Sequence, residues 1–118
     1  MKRPFRLQDG TDFQRVWEGG RAWAHPLMVL RARPNQLPYT RCGFVAGKKI
    51  GPAVTRNRAK RRLREILRQG RDGVAPGHDL IWIARGGLSE ASHEQLVNAV
   101  QELLTRAGLV NENTNRPG

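Results

Sequence analysis

Residues 47–65 read GKKIGPAVTRNRAKRRLRE, and they decide how the rest of the chain is interpreted. Gly51 followed by Pro52 suits the N-cap and the first position of a helix, where a missing backbone N–H costs nothing. The apolar residues that follow recur at helical spacing, and they are Ala59, Leu63, Ile66 and Leu67. This stripe predicts a helix that buries one face and ends near Gly70.

The remaining surface of this predicted helix is dense in arginine. A step of 100° per residue groups Asn57, Arg61, Arg64 and Arg68, with Arg58 and Arg62 beside them and Lys60 at the border. A solvated surface helix normally mixes Glu with Lys, whereas only Glu65 interrupts the positive charge here. Guanidinium groups bind phosphates in a bidentate way and stack on bases, so this surface favours RNA contact over simple solubility.

Length and composition indicate one soluble domain. The 118 residues are 38% hydrophobic and 26% charged, and no apolar run approaches the roughly 18 residues that a membrane helix needs. The basic start of the chain lacks the apolar segment of a signal peptide, so we expect a cytoplasmic protein. We expect residues 1–110 to form the domain and residues 111–118 a disordered tail, and the single Cys42 to be a buried thiol without chemistry.

The net charge of +11 is concentrated in the first part of the chain. Residues 1–71 contain 18 Lys or Arg and four acids, for a net charge of +14, whereas residues 72–118 contain three Arg and six acids, for −3. Such a field attracts a polyanion and makes its binding strongly dependent on salt. The binding surface is therefore predicted within residues 1–71.

Five further elements are predicted around the basic helix. A short helix spans residues 11–18 and begins with a capping box of Thr11 and Gln14, and residues 27–33 and 41–47 form strands joined as a hairpin. Residues 79–85 are strongly apolar and predict a central strand buried on both faces. The last helix begins with a capping box of Ser92 and Gln95 and ends at Gly108.

The chain lacks the residue patterns of a self-contained nuclease or a metal site. Asp9 and Asp12 flank a helix start, where negative charge favours the helix dipole. His25, His78 and His93 lie far apart, without the spacing of zinc ligands. Residues 47–51 have glycines and lysines before a helix but not the order of a nucleotide-binding loop.

One family carries the same residues. Residues 43–65 fit the pattern GFxxxKKxGxAVxRNRxKRxxRE, with support from Arg6-Leu7, Asp12-Phe13, Val16, Gly20 and residues 79–85. This pattern closely resembles the bacterial ribonuclease P protein component. The resemblance implies a single α/β domain of the α+β sandwich type, with the order α-β-β-β-α-β-α around a central sheet. It also implies a left-handed β-α-β crossover through the basic helix, against the usual right-handed rule.

The resemblance also implies a function. The chain would be the protein subunit of a ribonucleoprotein whose RNA removes the 5′ leader of precursor tRNA, using Mg²⁺ held mainly by RNA. The protein alone would bind no cofactor, and its partners would be the RNA subunit and the single-stranded leader, without membrane or DNA.

Two sets of residues follow from the resemblance. The RNA subunit would contact the basic helix, through Arg56, Asn57, Arg58, Lys60, Arg61, Arg62, Arg64 and Arg68. Arg56 projects near the apolar stripe, so bracing the helix start is an equal alternative for it. The leader would enter a cleft between the first helix and the sheet, formed by Phe13, Trp17, Arg31, Lys48, Lys49 and Arg85.

Several alternatives stay open within these assignments. Phe13 and Trp17 lie at i and i+4, where rings stack on unpaired bases or else fill the core. Arg31 stands where many family members have an aromatic residue, which changes any preference for a leader nucleotide. Trp23 and Trp82 are assigned to packing.

The main rival function is a structural RNA-binding protein, such as a ribosomal or assembly factor, without a leader cleft. A metal nuclease is disfavoured because this chain has no acid cluster, and a DNA-binding role is disfavoured because it has no groove-reading motif.

Overall fold

The computed structural model describes residues 5–7 and 9–111. Three helices and four strands follow the order α-β-β-β-α-β-α, which confirms the predicted sequence of elements. The helices are α1 (Gly10–Gly19), α2 (Ala53–Gln69) and α3 (His93–Ala107), and the strands are β1 (Arg21–Ala24), β2 (Met28–Pro34), β3 (Arg41–Val45) and β4 (His78–Ala84). The predicted tail falls outside the described residues from position 112 onward.

The four strands form one sheet in the order β1-β2-β4-β3. The predicted hairpin of residues 27–33 with 41–47 is wrong, because β2 lies between β1 and β4 and pairs antiparallel with both. A tight turn joins β1 to β2, and in it the backbone N–H of His25 donates to the carbonyl of Met28 at 2.9 Å. β3 lies parallel to β4, so α2 is the crossover between them. The left hand of this crossover stays a prediction.

The main core lies between the sheet and the helices α2 and α3. Trp82 and Leu80 of β4 are fully buried there, against Leu63 of α2 and Leu103 of α3. The buried residues of α2 are the four of the predicted stripe, namely Ala59, Leu63, Ile66 and Leu67. The assignment of Trp82 to packing agrees with its complete burial.

Helix α1 crosses the other face of the sheet. Val16 is fully buried and packs in a small cluster with Leu7 and Ile81. Gly43 of β3 allows this approach, since a Cβ there would stand 3.3 Å from the ring of Phe13. β4 thus carries buried side chains on both faces, as expected for a central strand.

The helix ends match the sequence in part. Ser92 and Gln95 form the predicted capping box, and Gly108 ends α3 in the left-handed conformation with φ of 71°. The capping box of Thr11 is wrong, because the Asp9 side chain accepts from the backbone N–H of Thr11 and caps the helix instead. α2 begins one residue later than predicted, with Pro52 as its N-cap.

A network of ion pairs joins α1 to the sheet. Arg41 of β3 donates from Nε to Asp79 of β4 at 2.8 Å and from Nη2 to the same carboxylate at 2.6 Å. Its Nη1 reaches Asp12 of α1 at 3.1 Å. Asn35 donates to Asp79 at 2.9 Å, which adds the loop after β2. The hydrogen bonds that Arg41 donates to Asp79 raise the pKa of Arg41, so this guanidinium stays charged.

No helix in residues 5–7 and 9–111 has the length and apolar content needed to cross a membrane.

Replacing Arg41 tests the network. Arg41→Met leaves Asp79, which is 6% exposed, without its cation. A buried carboxylate that loses its partner typically costs about 3 kcal/mol or more, so we expect a loss of that order in urea unfolding. The control is Arg15→Met, because Arg15 pairs with Asp12 at the surface and should contribute under about 1 kcal/mol. Equal losses in the two variants would contradict a structural role for Arg41.

Candidate nucleic-acid interfaces

The outer surface of α2 is the first candidate interface. Asn57, Arg58 and Arg61 are exposed along it. Arg68 is exposed as well, but its Nε donates to Glu65 one turn earlier at 3.0 Å. The single acid of the helix therefore neutralises its C-terminal end, and the exposed charge is concentrated at Arg58 and Arg61.

Arg62 is held by the protein itself. It donates to the backbone carbonyls of Leu88 and Ala91, at 3.1 and 2.6 Å. These carbonyls belong to the segment between β4 and α3, so Arg62 connects that segment to α2. Sequence reasoning grouped Arg62 with the RNA-binding residues and had no signal for this contact, because its partners are backbone atoms far along the chain.

Arg64 lies over the edge of the sheet beside β3. Its guanidinium carbon is 5.6 Å from the centre of the Phe44 ring. Burial, followed by the nearby charges of Arg6 and Arg61, lowers the pKa of Arg64 from its ordinary value. The backbone of Arg6 pairs with Cys42 at the outer edge of β3, which explains its proximity. Three arginines are thus brought together, at Arg6, Arg61 and Arg64.

Arg56 and Lys60 lie on the flank of α2 that turns toward the core, and both are half-buried. The Nε atom of Arg56 is enclosed, and no hydrogen-bond partner for it exists among the described residues. This placement is compatible with either of the two roles considered for Arg56.

The second candidate interface is the cleft beside α1. The rings of Phe13 and Trp17 stack with 6.2 Å between centres and 14° between planes. Phe13 is half-buried against Leu7, Val16 and Ile81, whereas Trp17 is 42% exposed. The pair therefore combines the two roles considered, since Phe13 packs on the core and Trp17 presents its ring to solvent.

Arg31 supports the Trp17 ring from the sheet. Its guanidinium carbon is 5.7 Å from the ring centre, and its Nη2 donates to the carbonyl of Gly20 at 3.3 Å. A guanidinium at this distance from an indole is in the range of cation–π attraction. Arg31 therefore lies where it attracts the exposed ring of Trp17.

The floor of the cleft contains residues that sequence reasoning missed. Val29, Ile83 and Val45 occupy one row across β2, β4 and β3, and all three are half-buried. Ile83 and Val45 pack against the same cluster as Phe13. The period-two alternation of the strands provides a signal for them, because each lies two residues from another residue on the α1 face. The pairs are Val29 with Arg31, Ile83 with Ile81, and Val45 with Gly43.

The cationic residues predicted for the rim of the cleft come together at one edge of the sheet. Lys48 and Lys49 follow the C-terminal end of β3, and Arg85 follows that of β4. Because these strands are parallel, both ends lie at the same edge, beside the row of Val29 and Ile83. All three cations are exposed.

Neither interface includes a reactive thiol or an acid cluster. Burial raises the pKa of the Cys42 thiol to about 12, so it is protonated at neutral pH. In residues 5–7 and 9–111 no group of three His, Cys, Asp or Glu side chains is placed to hold a metal ion. The side chains of these residues therefore do not fit a metal held by the protein.

These features define a class: a small α+β protein with a basic helix on one side of its sheet and an aromatic cleft on the other. The family model for ribonuclease P matches residues 1–108. The ribonuclease P protein component of Herpetosiphon aurantiacus is 48% identical over 92% of this chain and 89% of its own length. That of Roseiflexus castenholzii is 45% identical over 93% and 91%.

Solved structures agree with the sequence comparisons. The ribonuclease P protein of Staphylococcus aureus superposes with a TM-score of 0.81 at 30% identity, over 91% of this chain and 98% of that one. The protein from Thermotoga maritima gives 0.78 at 31% identity, over 86% and 96%. The chain belongs to the ribonuclease P protein family, the protein components of a tRNA-processing ribonuclease.

Proposed function

We propose that this protein binds the RNA subunit of ribonuclease P through α2 and the single-stranded 5′ leader of precursor tRNA through the cleft. It thereby assists Mg²⁺-dependent removal of the leader by the RNA. The observation that carries the proposal is the presence of two different surfaces on opposite faces of one sheet. One is cationic and helical, and the other combines an exposed ring with an apolar floor and a cationic rim.

The basic surface suits a folded RNA. Asn57, Arg58 and Arg61 are exposed and aligned along one helix, and Arg6 and Arg64 extend the positive charge to the edge of β3. Guanidinium groups of this kind bind phosphates without reading a sequence. The basic surface therefore accounts for affinity for the RNA subunit.

The cleft suits an unpaired strand of variable sequence. Every base has a face that stacks on an aromatic ring, so the exposed ring of Trp17 accepts a base with little preference. Lys48, Lys49 and Arg85 at the rim would then neutralise the adjoining phosphates. A duplex presents no free base faces, so the cleft favours a single strand such as the leader.

Catalysis is proposed to reside in the RNA. Mg²⁺ would be held mainly by oxygens of the RNA, and the protein would supply positive charge that lowers the repulsion between RNA and substrate. The net charge of +14 in residues 1–71 supports this role, because it reduces the concentration of metal ions needed to bring two polyanions together.

Cleavage of a precursor tRNA at low Mg²⁺ tests the proposal as a whole. A bacterial ribonuclease P RNA is incubated with the substrate with and without this protein, and the protein is also incubated alone. We expect leader removal in low Mg²⁺ only when RNA and protein are both present. No stimulation, together with tight RNA binding that ignores the leader, would indicate the rival function of a structural RNA-binding protein.

Removing charge from α2 tests the RNA-subunit surface. The double variant Arg61→Ala, Arg64→Ala should bind the RNA subunit more weakly and lower the slope of log K against log salt by roughly two, about one for each phosphate contact. Filter binding at salt concentrations from about 50 to about 200 mM measures both the affinity and the slope. The control is Arg106→Ala, which removes one positive charge from α3 instead of α2. An unchanged slope in the double variant would exclude α2 as the contact.

Truncating Trp17 tests the leader cleft. Trp17→Ala should weaken binding of precursor tRNA to the RNA–protein complex by about fivefold or more, the usual contribution of one stacked base. Binding of mature tRNA, which lacks the leader, should not change. Trp17 is preferable to Phe13 because its 42% exposure makes loss of stability small. An equal loss for the two RNAs would argue against stacking on the leader.

A further inference from the structure

A second aromatic site lies near the C-terminal end of α2, away from the cleft. It is a cavity of about 330 Å³, open to solvent, between the start of the chain, the loop before β3 and the segment that follows α2. Its walls and floor are formed by Phe5, Pro38, Tyr39, Leu67, Arg71 and Val74.

The walls are built from flat groups. The Arg71 guanidinium lies 4.1 Å from the centre of the Phe5 ring, and the Phe5 and Tyr39 rings meet edge to face with 5.5 Å between centres. The floor is apolar, because Leu67 and Val74 are buried beneath the opening. Rings and guanidinium planes over an apolar floor are the groups that proteins use to hold an unpaired base.

The surroundings are cationic, which favours a ligand attached to a polyanion. Phe5 adjoins Arg6, whose charge acts on Arg64 of α2, and Arg71 lies just beyond Gly70, which caps the end of that helix. The cavity therefore continues the basic surface of α2 around the edge of β3. Asp72 also lines the opening, and its carboxylate disfavours a phosphate inside while accepting a hydrogen bond from the exocyclic amine of a base.

We propose that this cavity binds an unpaired base of the RNA subunit, with the adjoining phosphates on Arg6 and Arg64. The proposal rests on the proposed function, because it needs the RNA subunit to lie along α2. It adds a contact of a different physical kind, since stacking does not depend on counterion release. The cavity would thus fix one position of the RNA, whereas the arginines of α2 provide affinity along it.

The variant Tyr39→Leu separates stacking from charge. It removes a ring without changing the net charge, and Tyr39 is only half-buried, so the fold should persist. We expect the dissociation constant for a bacterial ribonuclease P RNA to rise about fivefold or more at an unchanged salt slope. The matched control is Trp23→Leu, which removes a ring with a guanidinium 5.3 Å from its centre on β1, at the opposite edge of the sheet.

A photocrosslinking side chain, p-benzoylphenylalanine, at position 39 provides an independent measurement in the RNA–protein complex. Crosslinking to an unpaired stretch of the RNA, together with weaker binding by Tyr39→Leu but not Trp23→Leu, would support the proposal. Unchanged binding by Tyr39→Leu, or no crosslink while the wild-type protein binds the RNA tightly, would overturn it. Failure of the wild-type protein to bind the RNA would instead refute the proposed function, and this inference with it.

Discussion

The burial of β4 on both faces is the constraint on which the architecture depends. Leu80 and Trp82 point to the helices α2 and α3, and Ile81 points to α1, so one strand carries two separate cores. An apolar strand of this kind is stable only if both sides are covered. The two candidate interfaces are therefore built on the two coverings of a single rigid strand, and neither forms without it.

The ion pairs at the start of β4 complement this apolar core. Asp79 is buried and bound by Arg41 and Asn35, and Arg41 extends the contact to Asp12, which directly precedes Phe13. The apolar contact between α1 and the sheet is small, so this contact alone would leave the helix free to shift. A charged contact with fixed geometry limits that freedom. The network thus sets where the Phe13 and Trp17 rings stand relative to the sheet.

Except for the capping box of Thr11, local patterns were predicted correctly from the sequence, whereas the pairing of β2 was not. The stripe of α2 and the capping box of Ser92 depend on residues within a few positions of each other, so periodicity is sufficient to identify them. The pairing of β2 depends on β1, which has only four residues and is mostly exposed, and it therefore carries no recognisable pattern. The candidate site divides in the same way. Phe13 and Trp17 follow from helical spacing, but the carbonyl partners of Arg62 belong to a segment more than 20 residues away.

The count of arginines in α2 overstates the charge available to a partner. Arg62 is committed to two carbonyls and Arg68 to Glu65. Arg62 also connects α2 to the segment before α3, and Glu65 neutralises Arg68, so the helix surface is patterned rather than uniformly basic. Arg31 extends the same principle to the cleft, because a guanidinium that donates to Gly20 and lies beside Trp17 is not free to follow a phosphate. On the proposed function, Arg31 therefore supports the ring of Trp17, and the phosphates of the leader are contacted by Lys48, Lys49 and Arg85 at the rim.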